Sequence, residues 1–174
     1  ILERQLFDVL VDLAALPDRI SSRHDRENID LSVYLVTSAP VLRAVLGPGF
    51  RLLVRTDPLP LWVHANRTGL DRLLRTLVTH STALGQGRDV LLRASATAQG
   101  AQIEIGGDAV GTDDRLLSIV GDQTAASQNE LGIDLWQARC EALFNGATIR
   151  FTADNDGTKI LIEMPSQASV QAGA

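Results

Sequence analysis

The apolar positions between residues 66 and 84 recur with the period of an α-helix. They fall at i, i+3, i+4, i+7, i+8, i+11 and i+14, and so form one narrow stripe. The stripe consists of Leu70, Leu73, Leu74, Leu77, Val78, Ser81 and Leu84. Two alternating segments follow, DVLLRASA (89–96) and AQIEIGG (101–107), and predict a β-hairpin that turns at Gln99 and Gly100. A helix that lays one stripe on a sheet predicts an α+β fold, the two-layer α/β sandwich.

Another helix is predicted over residues 1–22, where apolar residues are spaced alternately by four and by three. This spacing is the heptad seam of a coiled coil or helix bundle. The seam consists of Leu2, Leu6, Val9, Leu13, Leu16 and Ile20. A second apolar strip of Phe7, Leu10 and Ala14 lies beside it, so we expect more than one neighbouring helix. A second copy of the chain supplies these neighbours most simply, which predicts a homodimer; the alternative is a helix that folds back onto its own domain.

The other predicted elements are shorter. A helix over residues 31–46 is expected to be interrupted at Pro40. The predicted strands are FRLLVR (50–55), LWVHA (61–65), ATIRFTA (147–153) and TKILIEM (158–164). The segments predicted between the two hairpins are a short helix (113–121), a mobile loop (122–130) and a helix (131–144) that stops at Asn145 and Gly146.

This order of elements divides the chain into four parts. A polar linker separates the first helix from the α+β domain, and a disordered tail ends the sequence. The parts are the N-terminal bundle helix (1–22), the linker (23–30), the α+β domain (31–165) and the tail (166–174).

Composition and charge exclude several classes of function. The net charge is −5 and there is a single lysine, so no nucleic-acid partner is expected. One cysteine, Cys140, cannot form an internal disulfide, which fits a reducing compartment. Because the sequence has no signal peptide and no long apolar run, we expect a cytoplasmic domain that meets a membrane only through segments outside this sequence.

The order of segments resembles the catalytic, ATP-binding region of sensor histidine kinases, in the GHKL or Bergerat ATPase superfamily. LFDVLVDLAALPDRI resembles the C-terminal part of that family's dimerisation helix. The other matching segments are NRTGLDRLLRTLVTHSTAL for the asparagine box, AQIEIGGDAVG for the first glycine box, NELGIDLWQARCEALFNGATIRF for the second and DGTKILIEMP for the closing strand. The resemblance implies two-component signalling, a site for ATP and Mg²⁺, and a response regulator or a partner kinase as binding partner.

The asparagine box departs from the family pattern. The resemblance implies an amide ligand to Mg²⁺, but His80 occupies the matching position. Mg²⁺ prefers oxygen ligands in tight octahedral geometry, for which imidazole is a poor substitute. His80 also lies at the edge of the apolar stripe, so the alternative is a packed, neutral histidine.

The first glycine box departs as well. The resemblance implies an aspartate that accepts a hydrogen bond from the adenine amino group, and Gly107 occupies that position. Asp108 follows directly: a bulge would bring it into use, and otherwise it is a turn residue. Of the two glycines that close the box, Ala109 replaces one and Gly111 remains.

The second glycine box keeps only Gly132, and Asp134 places a negative charge where the family binds a triphosphate. Thr158 matches a family position near the adenine. The metal ligand, the base acceptor and the phosphate-binding loop therefore all depart from the family pattern. We expect no cofactor, and ATP and Mg²⁺ would bind only if the site still functions. We assign neither a catalytic residue nor a metal ligand.

Three functions follow from these observations. The first is a two-component protein whose degenerate catalytic domain acts as a regulatory or phosphorelay docking module. The second is an active but divergent histidine kinase, and the third is a module that binds another ligand in the vacated pocket. A phosphorelay module or an active kinase would take its phosphoacceptor histidine from a helix upstream of Ile1, because none of His24, His64 and His80 lies on an exposed bundle helix.

Overall fold

A computed structural model describes residues 26–82, 87–111, 133–154 and 157–165. The helices are α1 (Leu31–Leu46), α2 (Arg67–Thr82) and α3 (Ile133–Phe144). The strands are β1 (Glu27–Asp30), β2 (Arg51–Thr56), β3 (Trp62–Ala65), β4 (Asp89–Thr97), β5 (Gly100–Gly106), β6 (Thr148–Asp154) and β7 (Gly157–Pro165). The predictions for residues 1–22, 113–121, 122–130 and 166–174 lie outside the described residues.

The predicted two-layer sandwich is confirmed. Five strands form one sheet in the order β2-β4-β5-β7-β6, in which β2 and β4 are parallel and the other neighbours antiparallel. The apolar stripe of α2 is fully buried from Leu70 to Ser81, and it shares one hydrophobic core with the inward residues of the sheet. Among the described helices, none is both long and apolar enough to cross a membrane.

The second half of the predicted linker is a strand, which the sequence analysis missed. β1 pairs with β3 in a two-stranded antiparallel ribbon outside the main sheet. Ile29 is buried and lies opposite Val63, whereas the other three residues of β1 are polar and hide the strand signal. Glu27 also forms an ion pair with Arg67 at 2.7 Å, which joins β1 to the first turn of α2.

Helix α1 continues through Pro40, so the expected interruption does not occur. Pro40 and Val36, whose carbonyl loses its helical partner, both lie on the exposed side of α1, where water can bind that carbonyl. The helix begins at a cap, since the Asp30 carboxylate accepts a hydrogen bond from the Ser32 N–H at 3.0 Å.

The first hairpin turns one residue earlier than predicted. Thr97 pairs with Gly100, so the turn consists of Ala98 and Gln99. The buried side chains fix this register, because Ala94 must face inward opposite Ile103.

The predicted end of the third helix is confirmed. Gly146 follows α3 with φ +66°, a conformation that favours glycine at a helix C-terminus. The final hairpin also has the predicted boundary, with Asp154 paired to Gly157 across its turn.

Candidate nucleotide site

The segment after β5 carries three of the sequence-predicted site positions, Gly107, Asp108 and Gly111. The Gly111 N–H donates to the Ser81 carbonyl at 2.8 Å, which ties this segment to the last turn of α2, next to His80. Strands β5 and β7 pair Ile105 with Ile160, so the end of β5 lies beside the start of β7, the strand that carries Thr158. Gly132 lies outside the described residues.

His80 is half-buried on the last turn of α2 and contacts another group. Its neighbours Ser81 and Thr82 are buried, and both hydroxyls donate to the Val78 carbonyl, at 3.1 and 2.9 Å. In the parts of the chain that the structure describes, no three His, Cys, Asp or Glu side chains are grouped closely enough to hold a metal ion. The described residues thus offer no preformed metal centre at this end of α2.

Gly107 occupies a backbone conformation that excludes a side chain. Its φ is +107°, in the left-handed region that favours glycine. A Cβ atom built on Gly107 would clash with the carbonyl oxygen of Asp89, and that same oxygen accepts a hydrogen bond from the Ala109 N–H at 3.1 Å. The position that the family resemblance assigns to the base acceptor is therefore closed to any larger residue in this backbone.

Asp108 is exposed and faces the start of β4. Its Oδ1 atom accepts a hydrogen bond from the Asp89 N–H at 2.6 Å, and its carbonyl accepts one from the Gly87 N–H at 2.9 Å. This is the arrangement of a turn residue, because the carboxylate is held by the backbone beside it.

Arg51 balances the acidic groups at the start of β4. Its guanidinium makes a two-point contact with the Asp89 carboxylate, at 2.6 and 2.7 Å. The hydrogen bond and the negative charge of Asp89 raise the pKa of Arg51, and the charge of Asp108 adds to this effect.

Apolar side chains fill the turn that follows Gly107. The Val110 N–H donates to the Gly107 carbonyl at 3.1 Å, which closes a tight turn. Ala109 and Val110 are both buried, so their side chains belong to the hydrophobic core. The resemblance implies a glycine at position 109, but the chain has Ala109, whose methyl group is packed in the core.

Comparison with known proteins finds the same architecture in solved structures. The ATP-binding domain of PrrB from Mycobacterium tuberculosis is 16% identical with a TM-score of 0.64, covering 82% of this chain and 98% of that one. The histidine kinase AdeS of Acinetobacter baumannii is 13% identical with a TM-score of 0.59, covering 95% and 84%. Full-length ShkA, solved in complex with AMPPNP, is 16% identical with a TM-score of 0.64, covering 93% and 37%. The fold is that of a histidine kinase catalytic domain.

No protein-family model matches the sequence, and no curated protein matches it. The histidine-kinase fold is thus preserved at a level of identity where few side chains are shared, which is why the site residues have to be assessed from their own contacts.

Sequence reasoning missed a buried polar joint between α2 and α3 in this histidine-kinase fold. The Asn145 side chain accepts a hydrogen bond from the Asn66 N–H at 2.7 Å and donates one to the Glu141 carbonyl at 2.8 Å. The Asn66 side chain in turn accepts from the Gly69 N–H at 2.6 Å and caps α2. From the sequence, Asn145 was predicted only to end the helix. Its hydrogen-bond partner, Asn66, lies 79 positions away, so no local pattern indicates the contact.

Glu141 completes this joint with a buried carboxylate. One of its oxygens pairs with Arg72 at 3.3 Å, and the other is buried without a hydrogen-bond partner among the described residues. A Cβ atom at Gly69 would clash with that second oxygen, so the absence of a side chain at Gly69 makes room for Glu141. The joint fixes α3, which carries the end of the second glycine box, against α2.

Cavities lined by described residues lie away from the candidate site. One of about 650 Å³ lies beside the β4–β5 turn and is lined by Thr97, Thr148 and Glu163 among others. A groove of about 180 Å³ separates α1 from α2, and a hollow of about 590 Å³ lies at the end of α1. The sequence-predicted site positions line none of these three.

Proposed function

We propose that this chain is the catalytic-domain part of a two-component signalling protein, in which the nucleotide site has eroded and the domain acts as a regulatory or phosphorelay docking module. The observation that carries this proposal is the turn at Gly107 and Asp108. At this turn the backbone leaves no room for a side chain at Gly107, and the Asp108 carboxylate is hydrogen-bonded to the backbone N–H at the start of β4.

Loss of the base acceptor is the best-supported part of the erosion. Gly107 has no side chain to offer, and the Asp108 carboxylate already accepts from the Asp89 N–H. A buried hydrogen bond of this kind is worth on the order of 1–3 kcal/mol, and a site built around it owes it much of its selectivity for adenine.

Metal and phosphate binding are weakened by independent changes. His80 offers imidazole where an amide oxygen is expected, and Gly132 stands alone in the second glycine box with Asp134 beside it. A loss of about 1.4 kcal/mol at each of the three parts would weaken binding roughly a thousandfold, from micromolar to millimolar. We infer that the residues present do not fit Mg-ATP.

An exposed apolar face supports the docking role. Along the outer side of α1 lie Val33, Val36, Val41 and Val45, each between 42% and 59% exposed. Leu59 and Trp62, also exposed, flank the N-terminal end of the same helix, since the Leu59 carbonyl accepts from Ser32 and Trp62 lies opposite Asp30. Contiguous exposed apolar residues mark interaction sites.

The partners of this face follow from the family resemblance. A response regulator or a partner kinase would dock on the domain, and the seam from Leu2 to Ile20 would hold two copies together. Size-exclusion chromatography with light scattering tests the homodimer, and Leu6→Lys with Leu13→Lys should convert it to a monomer.

Isothermal titration calorimetry with Mg-ATP tests the eroded site, with the ATP-binding domain of PrrB as a reference. We expect no saturable binding tighter than about 100 µM by this chain under conditions in which the reference binds. Tighter saturable binding would contradict the proposal and favour the divergent kinase. A thermal-shift screen of other nucleotides and of peptides addresses the third function, and a saturable hit that NMR maps to the vacated pocket would replace the docking module by a ligand-binding one.

A further inference from the structure

The face of the main sheet opposite the helices, here called the outer face, is open to solvent. On β2, Leu52 faces the core, so Leu53 and Arg55 face outward; on β4, Leu92 faces the core and Leu91 and Arg93 face outward. The outer face therefore carries its own pattern of side chains, separate from the exposed side of α1.

Four of these residues form a compact block. The parallel register of β2 and β4 sets Leu53 beside Leu91 and Arg55 beside Arg93. Leu53 is 45% exposed, and both arginines are exposed. We call these four residues the Leu–Arg block: two neighbouring leucines next to two neighbouring guanidinium groups.

The two arginines of the block are not held in ion pairs with described residues. Within the described residues neither Arg55 nor Arg93 has an ion-pair partner, although Glu104 lies opposite Arg93 on β5. Elsewhere on the outer face arginines are paired with carboxylates, namely Arg51 with Asp89 and Arg150 with Glu163.

The stability of the sheet explains only part of the block. A charged residue on an edge strand protects that edge from pairing with another chain, which accounts for Arg55 on β2. Arg93 on the interior strand β4 has Glu104 opposite it on β5, a favourable cross-strand pair. The placement of Arg55 directly beside Arg93 is unfavourable for the sheet, because like charges on neighbouring strand positions repel.

We propose that the Leu–Arg block is a docking surface for an acidic segment of a partner protein. In the complex, carboxylates of the partner contact the guanidinium groups of Arg55 and Arg93, and its aliphatic side chains cover Leu53 and Leu91. Arginine suits this role because its planar guanidinium binds a carboxylate through two parallel hydrogen bonds. This surface is distinct from the α1 face and does not depend on the state of the nucleotide site.

The surroundings of the block favour a protein over a polyanion. The chain carries a net charge of −5, and Asp89, Glu104 and Glu163 lie on the same face. A long run of phosphates would extend over these carboxylates and be repelled, whereas a short acidic segment can contact the two arginines alone. Two cations beside two leucines match a short segment in which acidic and aliphatic residues alternate.

Fluorescence anisotropy with a labelled peptide that alternates leucine with glutamate tests the proposal. The full chain should bind this peptide saturably, and the affinity should fall when salt is raised to about 0.3 M. Arg55→Glu together with Arg93→Glu should weaken binding by about tenfold or more. Arg75→Glu, which changes an exposed arginine on α2, is the matched control and should change the affinity by less than about twofold.

Two further measurements separate binding from folding. Arg55→Gln together with Arg93→Gln removes the like-charge contact, so this variant should keep the wild-type unfolding midpoint and still lose peptide affinity. In NMR titrations the largest amide shifts should lie on β2 and β4. Absence of saturable peptide binding up to about 1 mM would overturn the proposal. An equal loss of affinity in the Arg75 control, or amide shifts on another surface, would do the same. So would tighter binding of a leucine–lysine peptide, duplex DNA or phosphatidylserine vesicles.

Discussion

The Oδ1 atom of Asp108 accepts a hydrogen bond from the backbone N–H of Asp89 at 2.6 Å. This contact joins the segment after β5 to the first residue of β4 and so closes the open end of the first hairpin. The bond engages the carboxylate that directly follows the base-acceptor position Gly107, and it makes the state of that position testable by substitution.

Asp108→Ala should lower the free energy of unfolding by about 1 kcal/mol, because the Asp89 N–H loses its acceptor. Asp108→Asn keeps an oxygen at the same place and should remain within about 0.5 kcal/mol of the wild type. Urea denaturation followed by circular dichroism measures both. Equal stability of the alanine variant and the wild type would show that the contact does not hold the hairpin end.

Gly107→Asp should not restore adenine recognition, although it reinstates the residue type implied by the family resemblance. The new Cβ would clash with the Asp89 carbonyl, and an aspartate at φ +107° is strained, so we expect a loss of about 1–3 kcal/mol in stability. Calorimetry with Mg-ATP and urea denaturation test the two statements separately.

The control for this substitution is Gly49→Asp, where the structure leaves open space around an added Cβ. Its stability should stay within about 0.5 kcal/mol of the wild type. Submillimolar Mg-ATP binding by the Gly107 variant would mean that the turn can reopen, and would refute its description as closed.

Asn145→Ala should destabilise the domain by about 1–3 kcal/mol, because it leaves the buried Asn66 N–H without a partner and removes the tie to the end of α3. Asn28→Ala, at an exposed asparagine that contacts His64, is a matched control with an expected change below about 0.5 kcal/mol. Thermal and urea unfolding compare the two, and similar losses in both would remove the special role of the joint.

Because of Tyr34, the free energy of unfolding should depend on pH in the alkaline range. Its hydroxyl donates to Asp71 at 2.6 Å, and burial, followed by this hydrogen bond and the negative charge of Asp71, raises the pKa of the phenol well above its ordinary value. Because the folded-state pKa lies above the unfolded one, the contribution of Tyr34 to stability is complete below about pH 10 and is lost as the pH rises further.

Two measurements check this dependence. Tyr34 is the sequence's single tyrosine, so phenolate absorbance should appear only as the domain unfolds. Tyr34→Phe should be less stable than the wild type at neutral pH by about 1 kcal/mol, and the gap should narrow above about pH 10. Ionisation of the folded protein near the ordinary tyrosine pKa would contradict the effect of burial.

Local patterns predicted the elements whose residues repeat regularly. The stripe from Leu70 to Ser81 has the period of a helix, and the buried face of α2 follows from it. Strand β1 was missed because a four-residue strand with one apolar residue, Ile29, has no measurable period. The turn of the first hairpin was misplaced by one residue because pairing between buried side chains, rather than turn composition, fixes the register.

Sequence order placed the candidate site on particular elements but could not describe its contacts. The end of β5 lies beside the start of β7 and is tied to the last turn of α2, because topology sets that arrangement. The hydrogen bonds that decide the state of the site join residues 19 and 79 positions apart, from Asp108 to Asp89 and from Asn145 to Asn66. Contacts at such separations depend on the packed fold and leave no local sequence pattern.

The strand β1 has a mechanical consequence for anything joined to the front of the domain. Asp30 caps α1 and also accepts a hydrogen bond from the Leu61 N–H at 3.0 Å, while Glu27 is held by Arg67 at 2.7 Å. The segment from Glu27 to Asp30 is therefore attached to the first turns of both α1 and α2. A displacement of the chain ahead of Glu27 would act on these contacts first.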